Sequence, residues 1–308
     1  MSLTTVIVPY LDASEHVSDC LKSLINQTAP LDILVIRKKG LDPVLFDAPN
    51  ITHIEANVSK EADAFNYAFT RCTSEFIGFC RANDRWAPRH LEEHLSHLTE
   101  EPDVGLSFSG ADIILPDAQS DKWHHNPRLT HISAAYALKY NPLLSCSSCV
   151  ARRDALEDCV VFDSDGARLV FDPALSRTSM IDFTVRLLTR TDWTIEGIAG
   201  RWVSIDLRAA EFGKASAEAM IEWKTFIKSR APAAPAFFAR HAGVARKIYA
   251  GGMGAYLESL TTSEAAPKQD IIGKTFSDAI KADFKQSAPE SDDTAPAIEP
   301  AIGDLTKS

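Results

Sequence analysis

The chain has 308 residues, of which 45% are hydrophobic, 8% aromatic and 24% charged, ordinary proportions that exclude pervasive disorder, collagen-like repeats and a disulfide-stapled mini-domain. A formal net charge of −10 at pH 7 gives no global attraction for nucleic-acid phosphates or anionic lipid, so nucleic acid is not an expected partner. The length suits one large domain with an appendage, or two modest ones.

The start, Met1 to Pro9, lacks a basic region followed by a long apolar core and reads as a strand, not a signal peptide. No stretch reaches the roughly 18 uncharged apolar residues of a membrane span. Six cysteines without an export signal predict reduced thiols and a cytoplasmic protein. Val6-Ile7-Val8 is the first predicted strand, and Ser14 is placed to cap a helix carrying Val17, Cys20, Leu21, Leu24 and Ile25 at helical spacing. Further strands are predicted at Ile33–Ile36, Ile51–Ile54 and Phe76–Phe79. Between the last two, a helix opened by Ser59 turns Ala62, Phe65, Ala68 and Phe69 inward.

A polar loop, Arg81-Ala82-Asn83-Asp84-Arg85-Trp86, leads to Pro88 in the first turn of a helix with Leu91, Leu95 and Leu98 on one face. His90, His94 and His97 form an adjoining stripe. Its spacing allows two histidines on one metal, but no acidic motif completes a ligand set, so a polar flank is expected. Strands follow at Gly105–Leu115 and Leu144–Ala151. The second holds Cys146-Ser147-Ser148-Cys149, whose redox-type spacing has no second cysteine pair and reads as small core residues. Ile181–Leu188 is predicted helical, and Trp193–Ile205 as one or two strands. From Ala215 the chain turns helical, first with Met220, Trp223 and Phe226 on one face. A second amphipathic helix runs from Pro235 to Leu257, either a packing arm or a membrane-surface or dimer contact. Beyond about Thr262 the Ala, Pro, Ser, Asp and Lys composition predicts a disordered tail.

Short β-branched runs alternating with amphipathic helices indicate an α/β layer fold with a mainly parallel sheet. Three segments sharpen this. Val6 to Asp12 followed by Cys20 to Thr28, Glu75 to Pro88, and Phe171-Asp172-Pro173-Ala174-Leu175 with Ile181-Asp182-Phe183 resemble successive motifs of the family 2 glycosyltransferases. The resemblance covers about residues 4–210 and implies the GT-A fold: a nucleotide-sugar domain over 1–212, a helical extension over 213–261 and the tail over 262–308. It also implies inverting transfer from a nucleotide-diphosphate sugar, a UDP-sugar first among them, to an acceptor. A divalent metal, Mn or Mg, held by carboxylates would neutralise the leaving diphosphate.

On the matching positions, the resemblance puts Pro9, Tyr10, Asp12, Lys38, Asn66, Arg81, Asn83 and Asp84 at the donor, with Asp84 as the candidate metal ligand and Asp182 as general base. The sequence departs from the family where the chemistry is densest. Lys38 stands in place of an acidic residue after the second strand, Arg81 and Asn83 replace the first two acidic places of the metal motif, and the late Arg-x-His element reads Arg208-Ala209-Ala210. The metal expectation is weakened accordingly. Three local alternatives stand beside these roles: a cap before Pro88 for Asp84, a helix-dipole carboxylate for Asp182 and a turn residue for Asp12. Either the site has been rebuilt around cations, with Arg37, Lys38 and Arg81 acting on the diphosphate, or it has decayed into a nucleotide-binding or scaffold module. A homo-oligomer or other partner would use the C-terminal helices.

Overall fold

A computed structural model describes residues 2–251, apart from 45, 47, 115–122, 126–130, 141–142, 144, 164, 177 and 207–214. In chain order the elements are β1 (Thr4–Tyr10), α1 (Val17–Ile25), β2 (Asp32–Lys38), β3 (Ile51–Ala56), α2 (Glu61–Phe69), β4 (Phe76–Phe79), β5 (Arg85–Trp86), α3 (His90–Glu100) and β6 (Val104–Ile114). Next come β7 (Trp123–His125), α4 (Ala134–Tyr140), a 3-10 turn (Cys146–Ser148), β8 (Cys149–Arg152), α5 (Arg153–Asp158), β9 (Val161–Phe162) and β10 (Arg168–Leu169). The last are α6 (Ser179–Arg190), β11 (Thr194–Asp206), α7 (Ala215–Arg230) and α8 (Pro235–Gly251).

The main sheet runs β3-β2-β1-β4-β8-β6-β11-β5, with β7 on the edge of β6. Its first four strands are all parallel, each joined by a helical crossover or a long loop, as the β-branched runs separated by amphipathic helices require. β8 enters antiparallel between β4 and β6, so the second half of the sheet is mixed while β6 and β11 remain parallel to each other.

Alternation along the strands sorts two apolar layers. Val6, Val8, Ile33 and Val35 face α1 and α3, while Ile7, Leu34, Ile36, Ile77 and Phe79 face α2 and α6. Gly78 allows the Trp86 ring to cross β4; a Cβ there would stand 2.7 Å from that ring. Trp86 then donates its indole N–H to the Ser147 carbonyl at 2.8 Å, which ties β5 to the 3-10 turn.

Several local expectations change in the tertiary setting. α1 begins at Val17 without a side-chain cap; Ser14 instead accepts the His16 N–H and donates to Asn83 Oδ1. The predicted strand from Leu144 starts only at Cys149, because Ser145 caps the turn over Cys146–Ser148 by accepting the Ser147 N–H. Cys146 in that turn and Cys149 at the start of β8 are buried free thiols, and burial pushes each well up from its ordinary value, as expected of core residues.

Of the histidine stripe only His97, half-buried with Nε2 3.2 Å from Glu196, stands as a polar flank; His90 and His94 do not. His90 and His94 are fully buried, and His90 stacks on Trp86 with ring centroids 4.0 Å apart. His90 Nδ1 bonds the Trp202 carbonyl at 3.1 Å and His94 Nδ1 bonds Ser107 Oγ at 2.8 Å. Burial lowers His90 to about 3 and lowers His94 far below the ordinary value, so both rings are neutral. The imidazoles therefore act as core aromatics.

α7 buries Trp223 and Phe226, and α8 packs through Phe238 and Ala245 against α4 and α7, leaving Arg240 and Arg246 exposed. Over its described length α8 is thus a packing arm. The tail, Leu257 and Arg208-Ala209-Ala210 lie outside the described residues, as do the side chains of His124 and His125.

Candidate functional site

β1 pairs in parallel with both β2 and β4, so their carboxyl ends converge: Tyr10 lies opposite Arg37, and Ile7 opposite Phe79. The helix after β1 covers one face of the sheet, and the helix before β4 covers the other. The chain therefore opens a crevice at the ends of β1 and β4, where ligands of open α/β sheets bind. Pro9 and Tyr10 are buried at the carboxyl end of β1, and Asp12 is exposed in the loop that follows. Lys38, half-buried, ends β2 two residues beyond Ile36 and so lies on the α2 face. Arg37, on the other face, is ion-paired with Glu55 of β3 at 2.7 Å.

The loop after β4 carries the other donor-side candidates. Arg81 donates its backbone N–H to Ser147 Oγ at 2.9 Å, and its guanidinium reaches back to Glu61 in the first turn of α2. The Nε–Oε1 distance is 2.7 Å, with the two side chains 44% and 36% exposed. Glu61, then Asp84, holds the Arg81 cation above even its usual range, against the opposing effect of desolvation. Asn83 is tied to the loop after β1 through Ser14.

Asp84 is only 1% exposed. Its Oδ2 accepts the hydroxyls of Ser147 at 2.6 Å and Ser145 at 3.1 Å, and its Oδ1 accepts the Asp206 N–H at 3.0 Å. Burial pushes the Asp84 carboxyl above the usual carboxylate range, partly offset by Arg81, Ser147, the Asp206 N–H and Ser145. The carboxylate thus staples the β4 loop to the 3-10 turn and to the end of β11. It is not a cap for α3, which starts at His90 without a side-chain capping bond.

Two further candidates are also enclosed. Asn66 accepts the N–H groups of Val170 and Phe171 at 3.0 Å each, and its amide donates to the Phe171 carbonyl at 2.6 Å. It clamps the 170–171 segment onto α2. Asp182 is 0% exposed in the first turn of α6. Its Oδ2 meets Arg186 Nε at 2.9 Å, and its Oδ1 meets Arg230 Nε at 2.5 Å. Arg230 also pairs with Asp172 at 2.6 Å, while Arg186 donates to the Val170 carbonyl at 2.7 Å and to the Cys159 carbonyl. A general base has to reach the hydroxyl it deprotonates. In this structure the Asp182 carboxylate is packed between two guanidinium groups.

These placements bear on a metal. A divalent ion of this kind is held by accessible carboxylate oxygens. Here the positions around the candidate ligand are Arg81 and Asn83, and Asp84 is sealed beneath them with all its bonds made to protein. Among the described residues no group of three or more His, Cys, Asp or Glu side chains is arranged to hold a metal ion. The residues present do not fit the ion that the resemblance implies. A separate cleft of about 490 Å³, lined by Asp103, Asp158, Arg190 and Trp193 among others, opens at the amino ends of β6 and β11, the far edge of the sheet.

Sequence reasoning did not find Glu61, Ser145, Ser147 or Arg230. Arg186 carried a signal, since it stands one helical turn after Asp182. The others approach only through folding, across 20 to 63 positions of chain.

With this geometry in view, three similarities bear on the chain. The family profile described as Glycosyl transferase family 2 matches residues 5–160. TuaG of Bacillus subtilis (strain 168), named as a teichuronic acid biosynthesis glycosyltransferase, is 25% identical over 164 residues, covering 49% of this chain. The matched region spans 63% of the relative's length. Among solved structures, the crystal structure of S. aureus TarS 1-349 superposes with a TM-score of 0.52 at 13% identity, covering 94% of this chain and 93% of that one. Its complex with UDP-GlcNAc gives 0.50 at 12% identity over 92% and 91%. At such identity the structural likeness establishes the fold alone, the GT-A type.

Proposed function

The chain belongs to the family 2 glycosyltransferases, and on that premise we propose that it binds a nucleotide-diphosphate sugar, specifically a UDP-sugar, at the carboxyl ends of β1, β2 and β4. The observation that carries this reading is that Tyr10, Lys38 and Arg81 end or follow the carboxyl ends of β1, β2 and β4, with Asp12 in the next loop, at the switch point of the sheet. Two cationic residues at these strand ends suit an anionic donor, and the fold shared with a protein solved with UDP-GlcNAc supports a uridine nucleotide. In this reading residues 1–212 form the donor-binding unit and 213–261 a helical extension. Family membership would make the transfer inverting.

A second reading, a catalytically silent nucleotide-binding module, is favoured by one specific observation: the two carboxylates best placed by sequence for chemistry, Asp84 and Asp182, are both enclosed. Incubating the full chain with UDP-, GDP- and dTDP-sugars and following nucleotide release separates the two. Release from a UDP-sugar supports the transferase; binding of UDP by folded protein with no release from any donor supports the silent module. For Asp182, its enclosure supports a positioning role. Asp182→Asn then destabilises the protein, whereas a base variant would keep its fold and UDP affinity while turnover disappears.

A further inference from the structure

We propose that the diphosphate is held without a divalent ion, by an exchange in which the Arg81 guanidinium leaves Glu61 for the phosphates. The inference rests on the UDP-sugar reading and specifies how that same site handles charge.

Four observations converge on it. Asp84 is saturated by Ser145, Ser147 and the Asp206 N–H and is shut off from the crevice, so no carboxylate in the loop after β4 is open to an ion. Arg81 stands instead at the mouth of β4, nearly half exposed, with its charge already present and its backbone fixed by Ser147. Lys38 ends β2 on the same face, with β1 between it and β4, so the strands that carry the two cationic residues lie about 10 Å apart. Glu61 holds Arg81 toward the first turn of α2, at the edge of the same strand ends.

The energetics allow the exchange. An ion pair as exposed as Arg81–Glu61 contributes little to stability, so little opposes its opening. An Arg–phosphate pair is charge-assisted and can be bidentate, which makes it the stronger partner. In the empty protein, Glu61 keeps the arginine from leaving a bare cation in the crevice. In the occupied protein the phosphate takes its place, and released Glu61 returns to solvent.

The test is a calorimetric titration of the full chain with UDP, in EDTA and in Mn2+, for wild type, Arg81→Ala and Glu61→Gln. Wild type should bind UDP equally in both media, within about twofold. Loss of a charge-assisted pair should weaken Arg81→Ala by about tenfold or more. Glu61→Gln removes the competitor and should bind UDP several-fold tighter, a gain that a misfolded variant cannot mimic. Mn2+-enhanced binding, unchanged affinity in Arg81→Ala, or no gain in Glu61→Gln would each overturn the exchange while leaving the UDP site standing. Absence of UDP binding by folded wild type in both media would overturn the UDP reading itself, and the exchange with it.

Discussion

Asp84 and Asp182 are both buried carboxylates near the carboxyl side of the sheet, yet the protein stabilises them by opposite means. Asp84 sits among neutral donors, two serine hydroxyls and one backbone N–H. Asp182 sits among charges, bridged by Arg186 and Arg230, the second of which also holds Asp172. Dipoles can be reoriented at small cost, because a hydroxyl donates or accepts as its neighbour requires. Guanidinium groups cannot, since they only donate and remain charged. The first arrangement should therefore tolerate an isosteric neutral residue, and the second should not. On the other face of the sheet, His90 and His94 represent a third solution, in which the buried group stays neutral.

The largest effect is expected where charge balances charge. Asp182→Asn leaves buried Arg186 without a counter-ion and Arg230 with Asp172 alone, and should cost about 3–5 kcal/mol in urea unfolding. A loss below about 1 kcal/mol would mean that the block relaxes or hydrates, and the contrast with Asp84 would disappear. Asp84→Ala should cost about 2–3 kcal/mol, because three donors lose their acceptor in a site with no water access. Asp84→Asn should recover at least half of that, as Ser145 and Ser147 rotate to accept from the new amide. Equal losses for the two variants would show that Asp84 works through its charge after all.

Acid gives a smaller and graded effect. The folded-state value of His90 lies near 3, below its ordinary 6.5, and His94 is shifted the same way. Only the unfolded chain takes up these protons as pH falls from 6.5. The stability that both residues contribute is thus complete above 6.5 and declines toward 3. Unfolding free energy should drop by about 1.4 kcal/mol per pH unit for each histidine between pH 6 and 5. His90→Asn, which can keep the bond to the Trp202 carbonyl, should remove one histidine's share of that slope. A flat profile over this interval would place protonated imidazoles in the core and break the comparison.

Much of the scaffold was legible from local pattern. The runs at Val6, Ile33, Ile51 and Phe76 became β1 to β4, because β-branched runs separated by amphipathic helices have few ways to bury their apolar faces. The periodicities around Leu21, Phe65 and Leu91 became α1, α2 and α3 for the same reason. Even the departures at Lys38, Arg81 and Asn83 were visible as residue types, together with the family they depart from. Burial of His90 and His94 is not legible in the sequence, because polarity alone does not reveal that Trp86, Trp202 and Ser107 supply an aromatic neighbour and hydrogen-bond partners inside the core.

The sequence by itself thus determined the layers, the strand ends and the charges available at them, since these follow from spacing along the chain. Only the tertiary structure decided which of those charges remain open. Ser145 and Ser147 lie more than 60 residues from Asp84, and Arg230 lies 48 from Asp182; no local pattern links them. Burying a carboxylate is unfavourable until such partners arrive, and their arrival removes it from the crevice. Arg81 stays exposed because its partner, Glu61, is itself at the surface.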